Sequence, residues 1–197
     1  MGEPWLTIVN PAAGGGRCGK RAADALERLR ASGMELDVHA TIRGGQAIEI
    51  VRDAYAEGRR RFLAVGGDGT TFEVLNGLFP EARDGDPPTL ALLPLGTGNS
   101  SLRDFGVTSA EEALARIERG ATRRCDVVEA THDDGAFFYI NLLSVGFTAI
   151  AGDLTNRRFK ALGPAGYVAA TLITAARLQY PVYPMRLDEQ DADDRPC

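Results

Sequence analysis

Three glycine-bearing segments recur in the first hundred residues, each following a short apolar run. They are Asn10-Pro11-Ala12-Ala13-Gly14-Gly15-Gly16, Gly66-Gly67-Asp68-Gly69-Thr70 and Pro94-Leu95-Gly96-Thr97-Gly98-Asn99. The runs before them, over 5–9, 62–65 and 90–93, read as buried strands. Helical spacing fills the intervals. Ala22, Ala25, Leu26 and Leu29 share one face of a helix over 18–32 that Gly33 stops. Ile48, Val51 and Tyr55 do the same over 46–57, closed by Gly58, and a third helix is expected over 70–79. Met34, Leu36, Val38, Ala40 and Ile42 alternate as a further strand. Ser109 has Glu112 three positions on, a capping signal, and Gly120 ends that helix. Strands and helices alternating in this way predict an α/β, Rossmann-like parallel sheet with helices on both faces.

Beyond Gly120 the pattern changes. Residues 123–130 and 136–144 read as two strands joined by Asp133-Asp134-Gly135, an antiparallel pairing. A boundary near residue 121 therefore separates an α/β region, 1–121, from a β-rich region, 122–197. A helix is expected at about 163–179. From 181 onward there is one further strand and an acidic run of Asp188, Glu189, Asp191, Asp193 and Asp194. The second region has too few elements to close a core, so it reads as an incomplete domain.

Composition narrows the function classes. Glycine makes up 23 of 197 residues, about 12% against a usual ~7%, and the clusters above show that the excess builds loops. A net charge of −5 and a pI near 5.1 argue against a nucleic-acid partner, because such domains run basic. Cys18, Cys125 and Cys197 lie far apart, which argues for a reducing compartment and against a zinc site or disulfide framework. Residues 1–16 lack a basic region before their apolar run, so no secretory signal is read. The stretch 167–176 is interrupted by Thr171 and Thr174 and is too short to span a bilayer. A cytoplasmic protein is expected. Arg123, Arg124, Arg157, Arg158 and Lys160 allow peripheral contact with lipid head groups. His39 and His132 are isolated and read as surface histidines, and Arg59-Arg60-Arg61 as a solvated turn.

In open α/β sheets ligands bind outside the carboxyl ends of the strands, so all three loops should share one edge. Glycine there permits positive φ and close approach of main-chain N–H groups to an anion. One helix N-terminus contributes only about 0.3–2 kcal/mol toward an anion, so holding a nucleotide requires the loops to converge. The first loop imitates two other motifs. Gly14, Gly16 and Gly19 fit G-x-G-x-x-G, but four residues separate Val9 from Gly14; Gly14 to Lys20 fits a P-loop, but Arg21 replaces its Ser or Thr. Asp68, flanked by glycines at a helix start, reads either as an N-cap or as a carboxylate placed to meet a metal or a hydroxyl. Thr70, Thr97 and Asn99 offer short polar groups for phosphate or ribose, or serve as turn residues. Thr41 ends the second strand and could line the same crevice.

Gly66-Gly67-Asp68-Gly69-Thr70 followed by Glu73-Val74-Leu75-Asn76-Gly77-Leu78 resembles the diacylglycerol kinase catalytic-domain family, which includes sphingosine kinases and bacterial lipid kinases. The resemblance extends to Asn10-Pro11 with Gly14, to Thr41, to 94–99, to Arg124-Cys125-Asp126 and through 138–147, where Asn141 and Gly146-Phe147 match the start of that family's second domain. It implies a phosphofructokinase-like first domain and transfer of the γ-phosphoryl group of ATP to a lipid hydroxyl. It also implies that Asn10, Gly14, Thr41, Gly66, Gly67, Asp68, Gly69, Thr70, Gly96, Thr97 and Asn99 hold ATP and Mg²⁺, with Asp68 catalytic. Ser100 departs from the family's usual Asp after G-T-G-N. Members are longer, so the rest of the second domain and the acidic residue thought to act as base are expected beyond Cys197. Two other readings stay open: a nucleotide-binding module without turnover, and a NAD kinase-like phosphotransferase, which shares Gly-Gly-Asp-Gly.

Overall fold

The computed structural model describes residues 2–97, 100–143, 146–159, 164–176, 186–187 and 190–191. Asn99, Ser144, Lys160, Cys197 and most of the acidic run fall outside the described residues. The chain divides into two compact units, Met1–Leu142 and Leu143–Cys197.

The first unit is built on four parallel strands, β1 (Trp5–Val9), β2 (Leu36–Ala40), β3 (Arg61–Gly66) and β4 (Thr89–Pro94), in the order β2-β1-β3-β4. Parallel pairing follows from the helices between them: α1 (Arg17–Ala31), α2 (Gln46–Ala56) and α3 (Asp68–Leu78). Alternation along each central strand sorts the core into two faces. Leu6, Ile8, Phe62 and Ala64 meet Val51, Tyr55, Val74 and Leu78 of α2 and α3. Val9, Leu63, Val65 and Leu93 meet Cys18, Leu26 and Leu29 of α1, with Leu114 of α5 (Ala110–Glu118). Both faces are therefore covered, as a parallel sheet requires.

The expected elements of this unit are all present, with one change of environment. β2 is an edge strand, so Val38 is 38% exposed, and Ile42, beyond the strand's end, is 89% exposed. Ser109 caps α5, accepting a hydrogen bond from the Glu112 N–H at 3.1 Å. The Glu112 carboxylate reaches back to the Thr108 N–H at 3.0 Å. The three arginines leading into β3, the last of them its first residue, are more than a solvated turn. Arg60 lies 4.1 Å over the Tyr55 ring, Arg59 pairs with Asp37 at 2.9 Å, and Arg61 faces Trp5. A short helix, α4 (Ser100–Arg103), precedes α5.

An antiparallel hairpin closes the first unit: β5 (Val128–His132) and β6 (Gly135–Tyr139), turned at Asp133-Asp134. Both strands are shorter than the sequence suggests. Arg123 is engaged over the Phe105 ring at 4.2 Å instead of entering β5. The second unit holds α6 (Phe147–Leu154), which runs into a π-helical turn over Thr155–Phe159, then α7 (Pro164–Ala176) and a minimal pairing of β7 (Arg186–Leu187) with β8 (Gln190–Asp191). α7 packs so closely on the π-turn that a Cβ on Gly166 would stand 2.3 Å from the Phe159 carbonyl oxygen. α6 has no clear sequence signal; its Thr, Ile and Gly content weakens helix propensity, and packing supplies the stability.

Candidate functional site

Because the sheet is parallel, the segments after β1, β2, β3 and β4 all leave from one edge. The chain runs outward from β1 to β2 on one side and from β3 to β4 on the other, so the switch point lies between β1 and β3. A crevice at such a point is where open α/β sheets bind ligands.

The glycine-bearing segments interlock there. The Leu95 and Gly96 N–H groups both donate to the Gly66 carbonyl at 2.8 Å, tying the third loop to the second. Gly14 closes the contact between the first and third. Its φ is +65°, and a Cβ there would lie 3.0 Å from the Leu95 oxygen and 3.5 Å from Gly96 Cα. The Asn10 N–H donates to Val65 at 3.0 Å, while its Oδ1 accepts from the Ala12 N–H at 3.1 Å and shapes the turn. Thr41 is joined to β1, its N–H and hydroxyl both donating to the Val9 carbonyl at 2.8 and 3.3 Å.

Around this knot lie donors with no partner among the described residues. Among the described residues, the N–H groups of Gly14, Gly15 and Gly69 make no hydrogen bond. Gly69 is in the first turn of α3, where N–H groups lack intrahelical acceptors. Thr70 is 3% exposed, and its Oγ1 is sealed from solvent without a partner among the described residues. That oxygen packs on Gly66, where an added Cβ would fall 2.2 Å away. Such a donor set matches an anion.

Asp68 is the first residue of α3, one position inside the helix; the N-cap position is Gly67. Positive φ is not what this loop's glycines supply: Gly67 is extended at φ −118°, neither Gly66 nor Gly69 has positive φ, and of those two only Gly66 sits where a Cβ would clash. Thr97 is exposed at the bend of the third loop, and Asn99 lies outside the described residues. Thr41 and Thr97 follow the two edge strands, so three inter-strand spacings, roughly 14 Å, separate their starting points.

A cavity of about 250 Å³ opens beside Asp68, lined by Gly69, Thr71, Phe72 and Leu75 of α3, by Tyr139 at the end of β6, and by Ile140, Asn141 and Leu142 after it. The sequence does not announce this wall. It is held by Asn76, whose Nδ2 donates to the Phe138 carbonyl at 2.9 Å and whose Oδ1 accepts from the Phe138 N–H at 2.9 Å. Phe79 stacks on Phe138 with ring centroids 5.2 Å apart, and Arg83 pairs with Glu129. Glu73 accepts from the Ala47 N–H at the start of α2 at 3.3 Å. Gly77 lets α2 cross closely; a Cβ there would meet Val51 Cβ at 2.7 Å and the Ile48 oxygen at 2.8 Å. Of the arginines expected to face lipid, Arg123 and Arg124 belong to the first unit and Arg157 and Arg158 to the second, where Arg157 pairs with Asp153 at 2.9 Å.

The family described as "Diacylglycerol kinase catalytic domain" matches residues 4–130. The chain belongs to this family. A "Probable lipid kinase YegS-like" of Pseudomonas fluorescens is 33% identical over 155 residues, 78% of this chain and 50% of the relative. A "Diacylglycerol kinase" of Bacillus subtilis is 31% identical over 163 residues, 81% and 52% of the two. A solved structure described as "a putative diacylglycerol kinase from Bacillus anthracis str. Sterne" aligns with a TM-score of 0.68 and 28% identity, covering 95% of this chain and 60% of its own. The chain spans about half the length of the curated relatives it matches.

Proposed function

We propose that this chain is the nucleotide-binding part of an ATP-dependent lipid kinase, which transfers the γ-phosphoryl group to a lipid hydroxyl such as that of diacylglycerol. The observation that carries the reading is the interlocked set of loops at the β1/β3 switch point, with the N–H groups of Gly14, Gly15 and Gly69 making no hydrogen bond among the described residues. In this reading Gly14, Gly66, Gly67, Gly69 and Gly96 bring main chain to the phosphates, and the orphaned Thr70 hydroxyl gains an acceptor. Asn10 and Thr41 line the β1–β2 side of the crevice and Thr97 the β4 side, and Asn99 is assigned to the nucleotide by its place in the motif. Phosphoryl transfer is mostly positioning and charge stabilisation, which suits a site built from main chain and one carboxylate.

Among the described residues no group of three or more His, Cys, Asp or Glu side chains could hold a metal alone. Mg²⁺ typically uses one or two carboxylates plus substrate phosphates, so Asp68 fits as the protein's contribution to a nucleotide-borne ion. That ion would supply neutralisation of phosphate charge. No described helix is long and apolar enough to cross a membrane. Reaching a lipid acceptor then calls for peripheral contact with the cytoplasmic face of a bilayer.

Single-turnover incubation with γ-labelled ATP, Mg²⁺ and diacylglycerol in mixed micelles tests the assignment. Labelled lipid is the expected product. Saturable MgATP binding without labelled lipid would identify a nucleotide-binding module instead, and labelled NADP formed from added NAD would identify a NAD kinase-like enzyme.

A further inference from the structure

The reading above assigns Asp68 and the glycine loops to the nucleotide but leaves the acceptor side without a residue. The cavity beside Asp68 has two walls of different origin: the first turns of α3, and residues 139–142, which reach it only after the hairpin has turned back. Something must hold the second wall. We propose that Asn76 is a positioning residue for the lipid acceptor: its carboxamide fixes residues 139–142 beside Asp68, and so shapes the space that takes the hydroxyl-bearing end of the acceptor.

Three hydrogen bonds support this. The Asn76 Nδ2 donates to the Phe72 carbonyl at 2.8 Å and the Phe138 carbonyl at 2.9 Å, and its Oδ1 accepts from the Phe138 N–H at 2.9 Å. Both amide hydrogens and the oxygen are thus in use. Phe138 is paired with Glu129 in the hairpin, yet it gives its N–H to Asn76, as residues in the non-hydrogen-bonded pairs of an antiparallel ladder can. The carboxamide acts as a one-residue strand on the free edge of β6, and the cavity wall begins at the next residue, Tyr139. Asn is a poorer helix former than Ala, and its bond to the carbonyl four residues back is typical of a side chain that slightly disfavours a helix interior. Its place in α3 therefore answers to the hairpin and not to the helix. The wall it sets is largely apolar, from Tyr139, Ile140 and Leu142 facing Phe72 and Leu75, with Asp68 and Asn141 as polar members. That composition matches an alcohol carried on an acyl backbone better than a second nucleotide.

This inference rests on the lipid-kinase reading, and the test separates the two. The probe is the short-chain dioctanoylglycerol; its KM and kcat are measured with the MgATP Kd for the wild type, Asn76→Ala and Arg28→Gln. Asn76→Ala should raise the dioctanoylglycerol KM about tenfold, the order expected for losing the paired bonds, while kcat and the MgATP Kd stay within about twofold. Arg28→Gln breaks the pairs from α1 to Glu111 and Glu118 of α5, none of which lines the cavity, and should lower thermal stability without moving KM. The proposal is overturned if Asn76→Ala shifts the MgATP Kd as much as KM, if it shifts neither, or if Arg28→Gln raises KM equally. A wild-type protein that binds MgATP but never phosphorylates dioctanoylglycerol would end the lipid-kinase reading, and this inference with it.

Discussion

Thr70 holds a hydroxyl oxygen that neither solvent nor another described residue satisfies. Burying such a group without a partner costs about 1–3 kcal/mol, whereas an isosteric apolar replacement avoids that cost. Thr70→Val should therefore raise the ligand-free stability by about 1 kcal/mol in urea denaturation, yet lose the added stabilisation that MgATP gives the wild type. Gly14 is the opposite case. Its left-handed backbone and the 3.0 Å approach to Leu95 mean that Gly14→Ala should destabilise by about 1–2 kcal/mol on the same assay. Glu112 governs a pH response. The Thr108 N–H, and then Arg116, hold its carboxyl below the usual carboxylate range. A lowered folded-state value stabilises above the ordinary glutamate pKa of about 4.3 and is lost as pH falls through the lowered one. Wild type and Glu112→Gln should differ in urea midpoint at neutral pH and converge on acidification below that range. At this scale the sequence exposes Asp68 and the glycines because their neighbours are local. Asn76 and Glu73 stay hidden as individuals, since their partners lie 62 and 26 positions away.

At the scale of elements, α3 organises the site. Its start presents Asp68 and Gly69, its last turn supplies the Asn76 clamp, and Gly77 sets its distance from α2. Gly77→Ala should force α2 and α3 apart and cost about 1–3 kcal/mol by overpacking, read as a lower urea midpoint with an unchanged slope. What could be read ahead was whatever carries its own punctuation. β1 is bounded by the turn at Asn10, and α5 by its Ser109 cap and by Gly120. α6 and the π-turn after it lack such marks and take shape from packing. β5 begins five residues later than its composition suggests, because the stretch before it is not drawn into the hairpin. The change of sequence pattern near residue 121 and the division of packing at residue 142 are separate features, since the hairpin after 121 is fastened to α3.

At the scale of the molecule, the order β2-β1-β3-β4 does what no single loop can: it brings segments from residues 10, 66 and 95 to one edge and joins them by hydrogen bonds. Strand-and-helix alternation was enough to foresee a shared edge, but not which loops touch, because that depends on the order of strands within the sheet. The central claim is that this junction holds the triphosphate of ATP. Isothermal titration of MgATP into the wild type, Thr70→Val and Asp68→Asn tests it most directly. The account predicts one saturable site in the wild type and at least about tenfold weaker binding in both variants, a loss of about 1.4 kcal/mol or more. Equal affinity across all three folded proteins would contradict it.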